Sequence, residues 1–132
     1  MRSFDAPRPR SAPTSLRGLT LRGQTVERSF RGLTLVVAIK PQCDGCRAFA
    51  EARLEEFEGL DVLLVTAQDD VDNEWADVRH EIVIAPELLH QLDVRWPPFY
   101  VLIDADSGMV LVEGVVFGPA QVADEISSYV AK

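Results

Sequence analysis

Cysteine is scarce in this sequence: Cys43 and Cys46 are the only two among 132 residues. A domain stabilised by a disulfide framework needs several cysteine pairs spread along the chain, so that class of protein is excluded. Two thiols also supply only half of the four ligands of a structural zinc ion, and the two histidines, His80 and His90, do not have the spacing of a zinc finger. The spacing of the cysteines therefore points to their own chemistry.

Long apolar runs are also lacking, and positive charge is in deficit. No window reaches the roughly 18 continuous apolar residues that a membrane span needs. The 13 Lys and Arg residues are outnumbered by 21 Asp and Glu residues, which gives a formal net charge of −8. Because nucleic acids and anionic membrane surfaces bind clustered positive charge, we expect neither as a partner. No glycine-rich dinucleotide fingerprint is present, so electrons for a redox reaction would come from a separate donor.

The first 15 residues contain three prolines and three arginines but no apolar segment that would make a secretory signal. We therefore expect a cytoplasmic protein, with an extracytoplasmic location possible if an export signal has been removed. This composition predicts a disordered tail over residues 1–15, followed by one domain over residues 16–132.

The apolar patterns predict an α/β fold. Residues 33–39 and 61–66 are near-continuous runs of branched side chains, typical of strands buried on both faces. Helical spacing over about 44–58 joins them into a βαβ unit with a parallel sheet. The remaining patterns predict a hairpin over 19–26, a short strand over 81–85, a short helix over 86–92, antiparallel strands over 99–104 and 109–114, and a final helix over 119–130. The result is a mixed central sheet flanked by helices, with an N-terminal hairpin extension.

The cysteine pair lies between the first buried strand and the predicted helix. Unpaired N–H groups and the partial positive charge of a helix N-terminus favour a thiolate over a thiol, so the pKa of Cys43 is expected to be lowered. Cys46 follows one helical turn later, close enough to attack a mixed disulfide formed at Cys43. Cys43 is therefore the predicted nucleophile and Cys46 the predicted resolving thiol. A zinc site or a pair of inert buried thiols remains the alternative.

The order of strand, CxxC motif, helix, strand, proline-led strand, hairpin and final helix resembles the thioredoxin superfamily. Residues 23–26, 40–43 and 98–104 resemble its TlpA-type thiol–disulfide reductases, which share features with peroxiredoxins. The resemblance implies a thioredoxin fold and a thiol–disulfide oxidoreductase without a cofactor, acting on protein or small-molecule thiol or disulfide substrates. It also implies that Pro98 is a cis-proline facing the cysteine pair.

Several positions depart from the pattern of that superfamily. Asp44-Gly45 replaces Gly-Pro between the cysteines, and the negative charge of Asp44 opposes the thiolate, so we predict a reductant-like potential. Gln42 stands where thioredoxins have a tryptophan. Val37 stands where they have a buried acid, so any general base for Cys46 would be another group, such as Glu51 or water.

The residues expected to line the substrate site are Gln42, Asp44, Trp96 and Pro97. Pro97 precedes the cis-proline and has no N–H, so one of the two hydrogen bonds to an extended substrate is lost, at a cost of about 0.5–1.5 kcal/mol. Trp96 is interpreted either as a compensating apolar contact or as a partly buried core residue.

Three other functions compete with disulfide reduction. Peroxide reduction is disfavoured because residues 40–43 lack the threonine of the peroxidatic pattern. Copper carriers with this fold normally separate their cysteines by three residues rather than two, which disfavours copper delivery. A non-catalytic binding module that retains the fold would explain the departures at Val37, Asp44 and Pro97.

Overall fold

The computed structural model describes residues 10–51, 55–68, 75, 78 and 80–130. These residues form eight strands and three α-helices: β1 Arg10–Ser11, β2 Ser15–Thr20, β3 Thr25–Ser29, β4 Leu33–Ala38, α1 Asp44–Glu51, β5 Asp61–Thr66, β6 Ile82–Ile84, α2 Pro86–Gln91, β7 Phe99–Asp104, β8 Met109–Val115 and α3 Pro119–Val130. In the described part of the chain, no helix is both long and apolar enough to cross a membrane.

All eight strands belong to one mixed sheet, in the order β1-β8-β7-β4-β5-β6-β2-β3. Its centre is β4, which runs parallel to β5 and antiparallel to β7. β5 pairs in parallel with β6, and the β2–β3 hairpin joins the sheet through β6. The predicted mixed sheet with a hairpin extension is confirmed.

Helices cover both faces of the sheet, because successive side chains of a strand point to opposite sides. On one face, Leu35 and Val37 of β4 belong to a core cluster with Phe49 of α1 and Ile126 of α3. On the other face, Val36 of β4 packs in a cluster to which α2 contributes Leu88, Leu89 and its following residue Leu92. Burial on both faces explains why β4 reads as a continuous apolar run.

Two predicted elements differ from the structure by more than one residue at an end. The helix expected over 44–58 is α1 up to Glu51 followed by a 3₁₀ turn at Glu55–Phe57, with residues 52–54 outside the described residues. The hairpin extends further than 19–26, because β2 and β3 pair from Ser15↔Ser29 to Leu19↔Thr25.

The predicted tail lies partly outside the described residues, which begin at Arg10. Within the predicted tail, Arg10 and Ser11 instead belong to the sheet, because they pair with Val110 and Met109 of β8, and Ser15 begins β2. The Arg10 guanidinium donates to the Leu92 carbonyl oxygen at 2.9 Å and forms an ion pair with Glu113. These contacts give the segment the partners that its composition does not reveal.

Candidate active site

The cysteine pair occupies the connection between β4 and α1. The strand pairing continues to Ile39, whose N–H donates to the Val65 carbonyl oxygen at 2.8 Å. The chain then turns at Gln42, which has a φ of +59°. Few residues other than glycine adopt this left-handed conformation. The turn places Cys43 directly before the first residue of α1, Asp44.

Cys43 caps the N-terminus of α1. Its carbonyl oxygen accepts the N–H of Arg47 at 3.0 Å, and its Sγ accepts the N–H of Cys46 at 3.2 Å. An N-cap side chain normally accepts from the second or third helical residue through an oxygen, so sulfur takes the place of that oxygen here. The donated N–H and the helix dipole both favour negative charge on this sulfur.

The two cysteines differ in their access to solvent. They are joined by a disulfide, with Cα atoms 5.2 Å apart. The Cys43 side chain is partly exposed, whereas Cys46 is completely buried in the core cluster of α1 and α3. An incoming reagent can therefore reach the sulfur of Cys43 but not that of Cys46.

Gly45 allows a close backbone contact with the chain that follows β8. A Cβ atom at this position would lie 2.9 Å from the Phe117 carbonyl oxygen and 3.1 Å from its carbonyl carbon. Any larger residue would push this chain away, so the contact accounts for glycine in the CxxC motif. Its neighbour Asp44 is exposed in the first turn of α1, where a carboxylate stabilises the helix dipole even though it opposes a nearby thiolate.

Pro98 lies at the same edge of the sheet as the end of β4. The Pro97–Pro98 peptide bond is cis, as the resemblance implied for Pro98. The next residue, Phe99, pairs with Ala38 at the end of β4, from which the turn to Cys43 departs. The Pro98 carbonyl oxygen accepts the N–H of Val116 at 3.2 Å. Pro98 and Gly45 are thus both in contact with residues 116–117.

Exposed apolar side chains surround this edge. Trp96 is 83% exposed, Phe117 77% and Val115 49%. A groove of about 230 Å³ is lined by Trp96, Phe99 and Val115 together with the chain at 93–95. The interpretation of Trp96 as a partly buried core residue is wrong, because its side chain is largely exposed.

Gln121 was not identified from the sequence, yet its side chain binds the backbone of residues 115–118. Its Oε1 accepts the N–H groups of Phe117, at 2.7 Å, and Gly118, at 3.3 Å, while its Nε2 donates to the Val115 carbonyl oxygen at 2.9 Å. A glutamine three residues after a helix-capping glycine is a signal for the cap, but it gives no indication of the bond to Val115.

Tyr100 and Glu125 form a second interaction near this edge that the sequence did not predict. The buried Tyr100 donates its hydroxyl to Oε1 of Glu125 at 2.7 Å. Burial, followed by this hydrogen bond, raises the pKa of Tyr100. Hydrogen bonds from Gln121 and then Tyr100 lower the pKa of Glu125. Tyr100 lies beside Val37 in the sheet, where a buried acid would stand in thioredoxins.

The other candidate groups are placed on the surface or in separate interactions. Glu51, considered as a base, forms an ion pair with Arg47 at 2.9 Å on the exposed side of α1. His90 is exposed at the last turn of α2. Among the residues that the structure describes, no three His, Cys, Asp or Glu side chains are grouped so that they could hold a metal ion.

Comparisons with known proteins identify solved structures of the same shape. No family model matches the sequence, and no curated protein matches it. A Chlorobium tepidum protein assigned as thiol:disulfide interchange protein DsbE is 20% identical, with a TM-score of 0.68 over 94% of this chain and 95% of that one. A secreted Mycobacterium tuberculosis disulfide oxidoreductase is 15% identical, with a TM-score of 0.64 over 85% and 94%.

A third similar structure is the thioredoxin domain of a thiol-disulfide oxidoreductase from Bacteroides vulgatus. It is 17% identical, with a TM-score of 0.63 over 92% of this chain and 96% of that domain. The similarity extends over 85% or more of this chain and 94% or more of each similar structure. The chain therefore has the thioredoxin fold.

Proposed function

We propose that this protein is a thiol–disulfide oxidoreductase that reduces disulfides through a reversible Cys43–Cys46 disulfide. The main support is the hydrogen bond from the Cys46 N–H to the Cys43 Sγ at the N-terminus of α1. This bond stabilises a thiolate on Cys43, which solvent can reach, whereas Cys46 is buried in the core. The similar structures, which are those of disulfide oxidoreductases and interchange proteins, support the same chemistry.

The reaction follows from this arrangement. In the reduced protein, the Cys43 thiolate attacks one sulfur of a substrate disulfide, forms a mixed disulfide and releases the first substrate thiolate, which takes a proton from water. Cys46 then attacks the Cys43 sulfur, so that the Cys43–Cys46 disulfide forms, and the second substrate thiolate leaves and takes the proton that Cys46 loses. Two electrons pass to the substrate, and a separate dithiol donor must return them to the protein.

The substrate is a protein or small-molecule disulfide bound at the edge formed by Gln42, Asp44, Trp96, Pro97 and Pro98. Exposed Trp96 supports this assignment because it offers a large apolar surface beside the groove. Pro97 provides a carbonyl but no N–H, so an extended peptide is expected to bind with one hydrogen bond fewer than at a residue that has one.

The compartment determines which donor is available. We propose the cytoplasm, as the sequence predicts, and the secreted Mycobacterium tuberculosis structure makes an extracytoplasmic location the alternative. A membrane-impermeant thiol reagent applied to intact cells distinguishes the two, because it labels Cys43 only outside the cytoplasmic membrane.

The decisive experiment is to equilibrate the protein in dithiol/disulfide buffers and count alkylated cysteines by mass. We expect a two-electron couple near about −270 mV, as in thioredoxin, because Asp44 opposes the thiolate. A value near about −120 mV would assign the protein as an oxidant instead. If no reversible intramolecular disulfide forms, the oxidoreductase proposal fails and a metal-binding or binding-module function replaces it.

A further inference from the structure

The residues 115–118, which connect β8 to α3, link the two halves of the candidate site. Val116 donates its N–H to the Pro98 carbonyl oxygen at 3.2 Å. The Phe117 carbonyl packs against Gly45, where a Cβ atom would be only 2.9 Å away. A displacement of this connection would therefore move the Pro98 edge and the N-terminus of α1 relative to one another.

One side chain holds the connection by its backbone. The amide of Gln121 binds it at three points, through the N–H groups of Phe117 and Gly118 and the carbonyl oxygen of Val115. The oxygen and the nitrogen of this amide are thus both engaged, and the orientation of the amide is fixed from two sides.

We propose that Gln121 is a positioning residue for the Cys43–Cys46 reaction, acting through the 115–118 connection. This inference rests on the proposed oxidoreductase function. Disulfide exchange needs the attacking thiolate aligned with a substrate sulfur, and small misplacements of reacting groups are costly. By fixing the connection against both Gly45 and Pro98, Gln121 sets the distance between the nucleophile and the edge where the substrate lies.

The competing explanation is that Gln121 only caps α3. Gly118 is the residue before that helix, since its carbonyl oxygen accepts the Val122 N–H at 3.2 Å, and Gln121 is the third helical residue. Glutamine at this position reaching back to the capping N–H is a known cap, and glutamate serves equally well. Gln121→Glu therefore keeps the cap but replaces the donor to Val115 with a second acceptor oxygen.

The experiment compares wild type with Gln121→Glu, Gln121→Ala and the matched control Gln91→Ala, which removes an exposed glutamine side chain from α2. Two rates are measured on each reduced protein: exchange with a protein disulfide, and alkylation of Cys43 by iodoacetamide. We expect exchange to fall roughly tenfold in both Gln121 variants, within the ~100-fold that a misplacement of about 1 Å can cost. The alkylation rate of both Gln121 variants should stay within about twofold of wild type, because a small alkylating agent needs the thiolate but not its alignment. Both rates of Gln91→Ala should also stay within about twofold.

Exchange at the wild-type rate in Gln121→Glu overturns the proposal and leaves Gln121 as a helix cap. A parallel fall in alkylation also overturns it, because the change would then lie in the thiolate rather than in alignment. If Gln121→Ala does not fold, Gln121→Glu decides alone. Wild-type protein that fails to exchange disulfides at all refutes the proposed function instead, so the two failures are distinguishable.

Discussion

The β2–β3 hairpin and the Cys43–Cys46 edge are held in different ways. The hairpin is closed by local hydrogen bonds. The Thr20 hydroxyl oxygen accepts the N–H of Gln24, and the Thr20 carbonyl oxygen accepts the N–H of Gly23. Between β2 and the rest of the sheet, the strand pairing is limited to Leu19↔Ile84 and Thr20↔Val83. The turn and the internal pairing of the hairpin therefore depend on residues close together in the chain, and β6 attaches it to the sheet over a short stretch.

The active-site edge depends instead on backbone contacts between distant segments. Gly45 meets Phe117, and Pro98 meets Val116, although about 70 residues of sequence separate Gly45 from Phe117. A side chain on the last helix, Gln121, fixes this arrangement. The geometry of the site is therefore a long-range property, which substitutions in the hairpin should leave intact.

The largest expected effect is the loss of disulfide reduction when either cysteine is replaced. In Cys43→Ser, disulfide reduction should fall to the rate without protein, because the hydroxyl is not a thiolate. In Cys46→Ser, Cys43 should still attack and a stable mixed disulfide should accumulate, because the buried resolving thiol is missing. Mass spectrometry of the quenched reaction measures both, and a mixed disulfide on Cys46 in Cys43→Ser would reverse the assigned roles.

The next effect separates the two regions directly. Gly45→Ala places a Cβ 2.9 Å from the Phe117 carbonyl oxygen, whereas Gly18→Ala in β2 places one 2.4 Å from the Ile84 carbonyl oxygen. Overpacking typically costs about 1–3 kcal/mol, which exceeds the up to ~1 kcal/mol that alanine gains over glycine in a helix. We expect both variants to lower the free energy of unfolding, with Gly18→Ala at least as destabilised.

The same two variants should differ in the rate of disulfide exchange. Disulfide exchange, measured well below either melting temperature, should fall in Gly45→Ala and remain near wild type in Gly18→Ala. Equal exchange rates in the two variants would show that the Gly45–Phe117 contact stabilises the protein without positioning the site. A loss in Gly18→Ala would contradict the independence of the hairpin.

The central strands were predictable because burial on both faces requires a continuous run of apolar residues. β4 and β5 read as continuous apolar runs, and the position of Cys43 before a helix follows from the end of the first run. The strand at Arg10–Ser11 was not predictable, since Arg10 binds Leu92 and Glu113 rather than its neighbours in the chain.

Within the site, the sequence revealed the reacting groups but not what aligns them. Cys43, Cys46 and Pro98 carry local motifs, so their positions could be anticipated. No motif relates Phe117 to Gly45, because their contact joins backbone atoms of distant segments, and the local bonds from the Gln121 side chain do not reveal it. Such contacts depend on the folded path of the chain, and a single sequence does not encode them in a local pattern.

A smaller effect concerns the acid dependence of stability near the site. The pKa of Glu125 lies below its ordinary value of 4.5, mainly because Gln121 and Tyr100 hydrogen-bond its carboxylate. A lowered folded-state pKa stabilises the protein fully above the unfolded value, and this stabilisation is lost as the pH falls through the folded value. We expect less than about 1 kcal/mol, because Glu125 is exposed.

The variant Glu125→Gln tests this contribution. It should flatten the loss of unfolding free energy as the pH falls below the ordinary pKa of 4.5, relative to wild type, as measured by urea unfolding at each pH. Glu27→Gln is the matched control in the hairpin, where the carboxylate binds Arg17 on the exposed surface. An unchanged pH profile in Glu125→Gln would show that its hydrogen bonds contribute nothing measurable to stability.

The smallest effect is expected from the cross-strand pair of the hairpin. Arg17 and Glu27 are directly opposite in the β2–β3 register, and the Arg17 Nε lies 2.7 Å from Oε2 of Glu27. Both side chains are largely exposed, at 80% and 59%, so water and salt screen the pair to roughly 0–1 kcal/mol. A double-mutant cycle of Arg17→Ala and Glu27→Ala should give a coupling below about 0.5 kcal/mol that shrinks with added salt, with disulfide exchange unaltered in all three variants. A large coupling, or any loss of exchange, would mean that the hairpin is mechanically connected to the cysteine edge and that the two regions are not independent.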